Sequence, residues 1–299
     1  MKQIILRDRI PIQVLLLFTF TLILVFSCTE QKTTPLEPLE ELEPVHPNFT
    51  LSEQDLKDIL EDIIQLDERA LLPAIQQNIL SRPQAFLDLV YLLVHFPQET
   101  FLLADKEHFL PEDYVPSDLV DLSRYEAIRT GHPFLTLNRA QMQLRAIIMP
   151  DLLAMVEAAR QDGIILDLSS TYRSYRYQEG LFATWVQRLG QEEAERVSAR
   201  PGASQHQLGT TIDFGSITSD FADHPAGLWL AQRASEFGFS LSYPSGMEWL
   251  TGYIYEPWHF RWIGRPAARL EQEYFQGSQY RMLLFWHLAY PRFASSLGR

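Results

Sequence analysis

Three short stretches hold residue types that can do chemistry together. In Ser204-Gln205-His206-Gln207-Leu208-Gly209-Thr210-Thr211-Ile212-Asp213 a histidine and an aspartate stand seven apart. On a regular strand they would face opposite sides, because side chains alternate with period two. They converge on one metal ion only if the backbone turns between them. Gly209 is placed to allow that turn, and Thr210-Thr211-Ile212 disfavours a helix presenting i and i+7 together. Taken alone, such a pair is more often hydrogen-bonded than metal-binding.

The second stretch is Glu256-Pro257-Trp258-His259-Phe260-Arg261. Pro257 fixes its own φ, biases Glu256 toward an extended conformation and removes a backbone donor, so Glu256 falls just outside the strand that carries His259. A carboxylate beside a metal-held imidazole, but not itself a ligand, is what a general base acting on water requires. The plain alternative is a Glu–Arg surface pair around a half-buried tryptophan. Together the two stretches supply two imidazoles, one carboxylate ligand and one spare carboxylate. That inventory suits catalytic Zn²⁺ better than Ca²⁺ or Mg²⁺, which prefer all-oxygen shells. The third stretch, Tyr172-Arg173-Ser174-Tyr175 with Gln178, puts a guanidinium at a strand end, where it can stabilise an oxyanion or clamp a carboxylate; taken alone, a single arginine there is more often a helix-start residue with an exposed head.

The elements that position these residues read as α+β. Ser52 with Asp55 fits a capping box, and Leu56, Ile59, Leu60, Ile63 and Ile64 form one apolar stripe. Further helices are expected over 71–80 and 84–95. Another is expected over 138–159, kinked or broken at Pro150, and others over 175–189 and 228–237. Short strands are expected over 164–168, 211–214, 239–243 and 259–263. Helices gathered before short strands suggest α+β rather than a doubly wound parallel sheet. His95 reads as a capping or packing residue, and Asp220 with Asp223 before His224 as a solvated turn.

The three motifs, in this order and spacing, resemble those of the VanY-type D-alanyl-D-alanine carboxypeptidases, in the zinc peptidase family that includes D,D-dipeptidases and L,D-carboxypeptidases. The resemblance reaches upstream to Phe101-Leu102-Leu103-Ala104-Asp105-Lys106 and Tyr114-Val115-Pro116-Ser117-Asp118-Leu119 and ends near Gly264. It implies a small antiparallel sheet carrying a zinc site, flanked by helices, after a helical region that the resemblance does not cover. It also implies His206, Asp213 and His259 as zinc ligands, Glu256 as catalytic base, Arg173 as the group that polarises the scissile carbonyl, and Ser204 and Gln178 as substrate contacts.

The wider sequence adds exclusions and an address. The 299 residues carry 25 Lys+Arg against 38 Asp+Glu, a net charge of −13, without the clustered basic surface that nucleic-acid binding needs. A single cysteine excludes a disulfide framework or a multi-cysteine metal site. Lys2, Arg7 and Arg9 precede an apolar run that ends in Val25-Phe26-Ser27-Cys28, which resembles a bacterial lipobox with Cys28 as the acylated residue; an uncleaved membrane anchor is the alternative. The expected organisation is a signal peptide at 1–27, a Pro- and Glu-rich tether at 28–48, a helical region at 49–100 and a zinc peptidase domain at 101–290. The expected partners are peptidoglycan stem peptides and, through lipidated Cys28, a bacterial membrane outside the cytoplasm. The competing readings are an L,D-carboxypeptidase or endopeptidase on the same scaffold, and a non-catalytic cell-wall binding module.

Overall fold

The computed structural model describes residues 51–125, 128 and 134–296, all within the compact unit Pro44–Arg299. The expected signal and tether, Cys28, His46 and His132 lie outside the described residues. No helix among the described residues is long and apolar enough to cross a membrane.

The chain opens with three helices, α1 (Glu53–Leu66), α2 (Pro73–Ser81) and α3 (Pro83–Val94). The capping box at Ser52 is formed: its hydroxyl accepts from the Asp55 amide at 3.1 Å, and the Asp55 carboxylate accepts from the Ser52 amide at 2.8 Å. Such a cap stabilises a helix by about 1 kcal/mol. Leu56, Ile59, Leu60 and Ile63 are buried, as their spacing requires. His95 caps α3, its Nδ1 lying 2.8 Å from the Tyr91 carbonyl.

A loop-rich passage leads to β1 (Leu119–Asp121), β2 (Leu135–Leu137) and β3 (Gln143–Arg145). Helix α4 (Met149–Gln161) starts later than expected. Pro150 lies in its first turn, where the missing N–H would have no partner, so it begins the helix rather than kinking one. Residues 143–145, expected to be helical, pair with β1 instead. Then come β4 (Leu166–Ser170), α5 (Tyr175–Leu189), α6 (Gln191–Val197), β5 (Thr211–Phe214), α7 (Pro225–Arg233), β6 (Phe239–Leu241), α8 (Glu248–Thr251), β7 (His259–Trp262), α9 (Arg265–Tyr274) and α10 (Gln279–Ser296).

Five strands form one sheet in the order β2-β4-β5-β7-β6. It is antiparallel apart from the β2–β4 pair, which runs parallel. One face carries Leu166, Leu168, Ile212, Phe214, Phe239, Phe260 and Trp262, packed on Met149, Leu152, Met155, Val156 and Ala159 of α4. Full burial of such side chains contributes about 1.5–3 kcal/mol each. A separate core gathers α1–α3 against α9 and α10, where Phe86 meets the rings of Tyr274 and Phe285 at 5.1 and 5.9 Å. Arg261, which the plain alternative placed in a surface pair with Glu256, is fully buried. It donates to the carbonyls of Thr100 and Leu102 at 2.8 Å each, tying β7 to the segment after α3.

Candidate active site

Sheet register brings the chemistry together. Ser170 on β4 pairs with Asp213 on β5, and Asp213 pairs with His259 on β7, so three strands present one row on the face opposite α4. His206 comes from the 3-10 turn Gln205–Leu208 just before β5. Gly209 ends that turn in the left-handed region at φ 70°, and a Cβ there would lie 2.9 Å from Leu119 Cδ2. Only glycine suits both demands.

The hydrogen bonds fix which ring nitrogens face inward. His206 Nδ1 lies 2.7 Å from the Thr171 carbonyl, which can only accept, so Nδ1 carries the proton and Nε2 presents its lone pair. His259 Nε2 lies 3.3 Å from Gln205 Oε1, an oxygen that also accepts from Ser242 Oγ at 2.7 Å. His259 therefore turns Nδ1 toward the site. His206 Nε2 stands 3.1 Å from Asp213 Oδ2, and His259 Nδ1 stands 3.2 Å from Asp213 Oδ1. One ligand atom from each of the three residues falls within 4.8 Å of the others. Among the described residues His206 Nε2 and Asp213 Oδ1 are buried without a hydrogen-bond partner. Each such orphan costs about 1–3 kcal/mol, and a cation among them would satisfy both. Two imidazole nitrogens and a carboxylate oxygen form a donor set that fits Zn²⁺.

The electrostatics point the same way. Burial holds His206 neutral, lowering it to about 4, with the Arg173 charge assisting. Burial would also lower His259, but Asp213 and Glu256 outweigh it and hold the ring up at about 8. Asp213 would be raised by burial; instead the two imidazoles keep it well below the usual carboxylate range. The demand is for positive charge at His259 Nδ1, which a proton or a metal cation answers equally.

Glu256 is buried, its Oε2 3.2 Å from His259 Nδ1, and it stands outside the three-residue cluster. Burial pushes its carboxyl above the ordinary value, against the pull of His259. Its amide donates to the Tyr243 carbonyl at 3.1 Å. Arg173 lines the same cleft of about 320 Å³, with Ser204, Asp213, Glu256 and His259. Burial lowers the Arg173 guanidinium, opposed by Asp213 and Glu256, and its Nε has no partner among the described residues.

Gln178 does not join them. It is 1% exposed and lies behind the cleft wall, its amide donating to the Ala199 carbonyl at 2.7 Å and to Ser198 Oγ at 3.4 Å. Its place on the inner side of α5 turns its amide toward the 198–199 segment rather than the opening. Sequence reasoning missed the ring of Tyr243, 4.7 Å from that of His259, and the support that Gln205 gives to His259. It also missed that Tyr177, Leu181, Trp185 and Leu189 of α5 line the cleft, and that Arg139 at its mouth donates to the Tyr177 hydroxyl at 2.8 Å. The four-residue spacing on α5 was the available sign.

Residues 141–265 match the family model for VanY, D-alanyl-D-alanine carboxypeptidase. The chain belongs to the VanY family. The VanY match holds every site residue named above from Arg173 to His259, and leaves α1–α3 and α10 outside it. The chain is 30% identical over 177 residues to the D-alanyl-D-alanine carboxypeptidase of Enterococcus faecium, covering 59% of this chain and 55% of that one. The chain spans 48 to 64% of the length of the curated relatives it matches. Among solved structures it is similar to the LD-carboxypeptidase LdcB, at 31% identity and TM-score 0.52, covering 60% of this chain and 87% of that one. It is also similar to a mutant of the vancomycin-resistance D,D-pentapeptidase VanY in complex with Zn(II), at 26% identity and TM-score 0.50, covering 62% of this chain and 99% of that one.

Proposed function

We propose that this VanY-family chain is a zinc-dependent peptidase that removes the terminal D-alanine from peptidoglycan stem peptides, working outside the cytoplasm and tethered to a membrane through lipidated Cys28. The observation that carries the reading is Glu256: a buried carboxylate beside a metal-competent cluster and not part of it. A binding module has no use for such a group, and a hydrolase needs it.

His206 Nε2, the Asp213 carboxylate and His259 Nδ1 would hold the ion. Bound there, zinc would supply Lewis acidity, lowering the pKa of water to about 7 and polarising a carbonyl. Glu256 takes a proton from the attacking water and later gives it to the leaving amine, a dual role favoured by a carboxyl raised through burial. Arg173 faces the carbonyl oxygen as charge gathers on it, with no carboxylate within 4 Å among the described residues to compete for the guanidinium. Ser204 contacts substrate, and Gln178 keeps the 198–199 wall in place.

The test is incubation of the zinc-loaded protein with a muropeptide pentapeptide ending in D-Ala-D-Ala, read by mass spectrometry with and without chelator. Loss of one alanine, blocked by chelation, is the expected result. The likeness to LdcB supports a second reading, L,D-carboxypeptidase activity, which a tetrapeptide substrate tests in the same assay. Bound zinc with all such peptides left intact would favour the binding module.

A further inference from the structure

Beside the cleft lies a second cavity of about 150 Å³, lined by Lys106, Phe109, Glu195, Ser198, Arg200 and Tyr253. Ser198 and Tyr253 line both cavities. A chain of ring contacts joins them: His259 to Tyr243 at 4.7 Å, Tyr243 to Tyr253 at 4.8 Å, and the Lys106 ammonium 4.8 Å over the Tyr253 ring. The lysine stem lies across Gly252, at φ 78°, where a Cβ would meet it at 2.8 Å. Asp105 holds the turn that presents it, accepting from the amides of Glu107 and His108 at 2.8 Å.

The cavity offers hydrogen-bond donors, and the acids around it are paired with arginines. Its acid, Glu195, is paired with Arg200, and the nearby Glu248 is paired with Arg196. Lys106 has no carboxylate within 4 Å among the described residues. Tyr253 is 3% exposed, yet its hydroxyl has no partner among the described residues. Ser198 Oγ accepts from Gln178, which leaves its proton free to donate. A buried phenol left unsatisfied is costly, so an acceptor belongs there. An ammonium, a phenol and a hydroxyl around a space of this size fit a carboxylate.

Which carboxylate follows from reach. The terminal carboxylate of a substrate cut one residue from its end sits about one Cα spacing, 3.8 Å, from the scissile bond. Lys106 does not line the cleft that holds His259, and the contacts between them run through the rings of Tyr243 and Tyr253. We propose that this cavity is a second subsite, in which Lys106 and the Tyr253 hydroxyl hold a carboxylate carried by the substrate two or more residues upstream of the scissile bond. The inference rests on the peptidase reading above.

The test compares wild type with Lys106→Met, which keeps the stem that packs on Gly252, and Tyr253→Phe, which keeps the ring. The substrates are a pentapeptide with all carboxylates free, the same peptide amidated at the α-carboxylate of its γ-linked glutamate, and the same peptide with lysine replacing diaminopimelate. Lys106→Met is expected to raise KM about tenfold on the free-acid peptide with kcat within about twofold, and Lys106→Arg to restore KM. Tyr253→Phe should raise KM about threefold. The modified peptide on which wild type and variant become equal names the carboxylate. An equal loss on all three peptides, or none on any, overturns the proposal. If wild type cleaves none, it is the peptidase reading that fails, and calorimetry with the zinc-loaded protein decides the subsite. Tighter binding of the free-acid peptide by wild type than by Lys106→Met sustains it, and equal affinity overturns it.

Discussion

On the peptidase reading, Glu256→Gln separates catalysis from metal binding. Glutamine keeps the shape of the side chain and cannot take up a proton. Glu256 is 9% exposed, its Oε2 sits 3.2 Å from His259 Nδ1, and the metal-competent cluster is complete without it. A positioned general acid–base contributes about 10²–10⁴ in rate, and this residue is asked to act twice in each turnover. The expected fall in kcat is therefore about 10³–10⁴, or about 4–5.5 kcal/mol of barrier at about 1.4 kcal/mol per tenfold. KM should change less than about threefold, because the cleft walls are untouched. Zinc content should be unchanged after dialysis, and the metal-free variant should melt no lower than wild type, since burial penalises the charged Glu256 carboxylate and a neutral glutamine escapes that cost. Metal analysis and mass-spectrometric turnover on the same preparation decide the matter. Loss of zinc along with activity would make Glu256 a ligand, and retention of more than about a tenth of the activity would put the base elsewhere.

His206→Ala should lose both zinc and turnover, since it removes one of three converging ligand atoms; full activity in that variant would sink the site assignment. Phe86→Ala should destabilise the protein by about 3–5 kcal/mol in denaturant unfolding, because the ring is fully buried against Tyr274 and Phe285. A loss under about 1 kcal/mol would mean that α1–α3 do not unfold together with α9 and α10. Glu271 is buried beside Ser240, and burial raises its carboxyl from 4.5 to about 8. The native protein therefore keeps a proton that the unfolded chain releases above pH 4.5, and stability falls as pH rises from there toward 8. Glu271→Gln should raise the melting temperature at pH 8 and leave it nearly unchanged at pH 4.5; an equal shift at both would refute this.

Much of the site was legible because its determinants are local. A histidine, a glycine that turns the chain and an aspartate lie within eight residues, and Pro257 sets Glu256 apart from His259 within four. The sheet register that aligns Ser170, Asp213 and His259 adds what spacing alone left open. Motif position says nothing of which side of α5 Gln178 takes, and packing turns its amide to Ala199. The start of α4 was misplaced because apolar spacing over 138–148 resembles a helix, whereas β1 supplies a strand partner. Arg261 was legible as a strand residue, yet its partners are carbonyls about 160 positions away, and no local pattern encodes them.

The union of α1–α3 with α9 and α10 also governs the order in which this chain can fold. Asn78 donates to the Glu273 carbonyl, Trp286 to Gln98 and Arg281 to the Arg69 carbonyl, contacts that bridge 188 to 212 residues. Closing loops of that length is slow relative to local helix formation. During synthesis the first three helices must wait, their apolar faces uncovered, until the last two arrive. A product stopped before Arg265 would carry the whole catalytic row and still lack the surface that shields its beginning. Premature termination should therefore yield aggregates rather than a smaller folded protein.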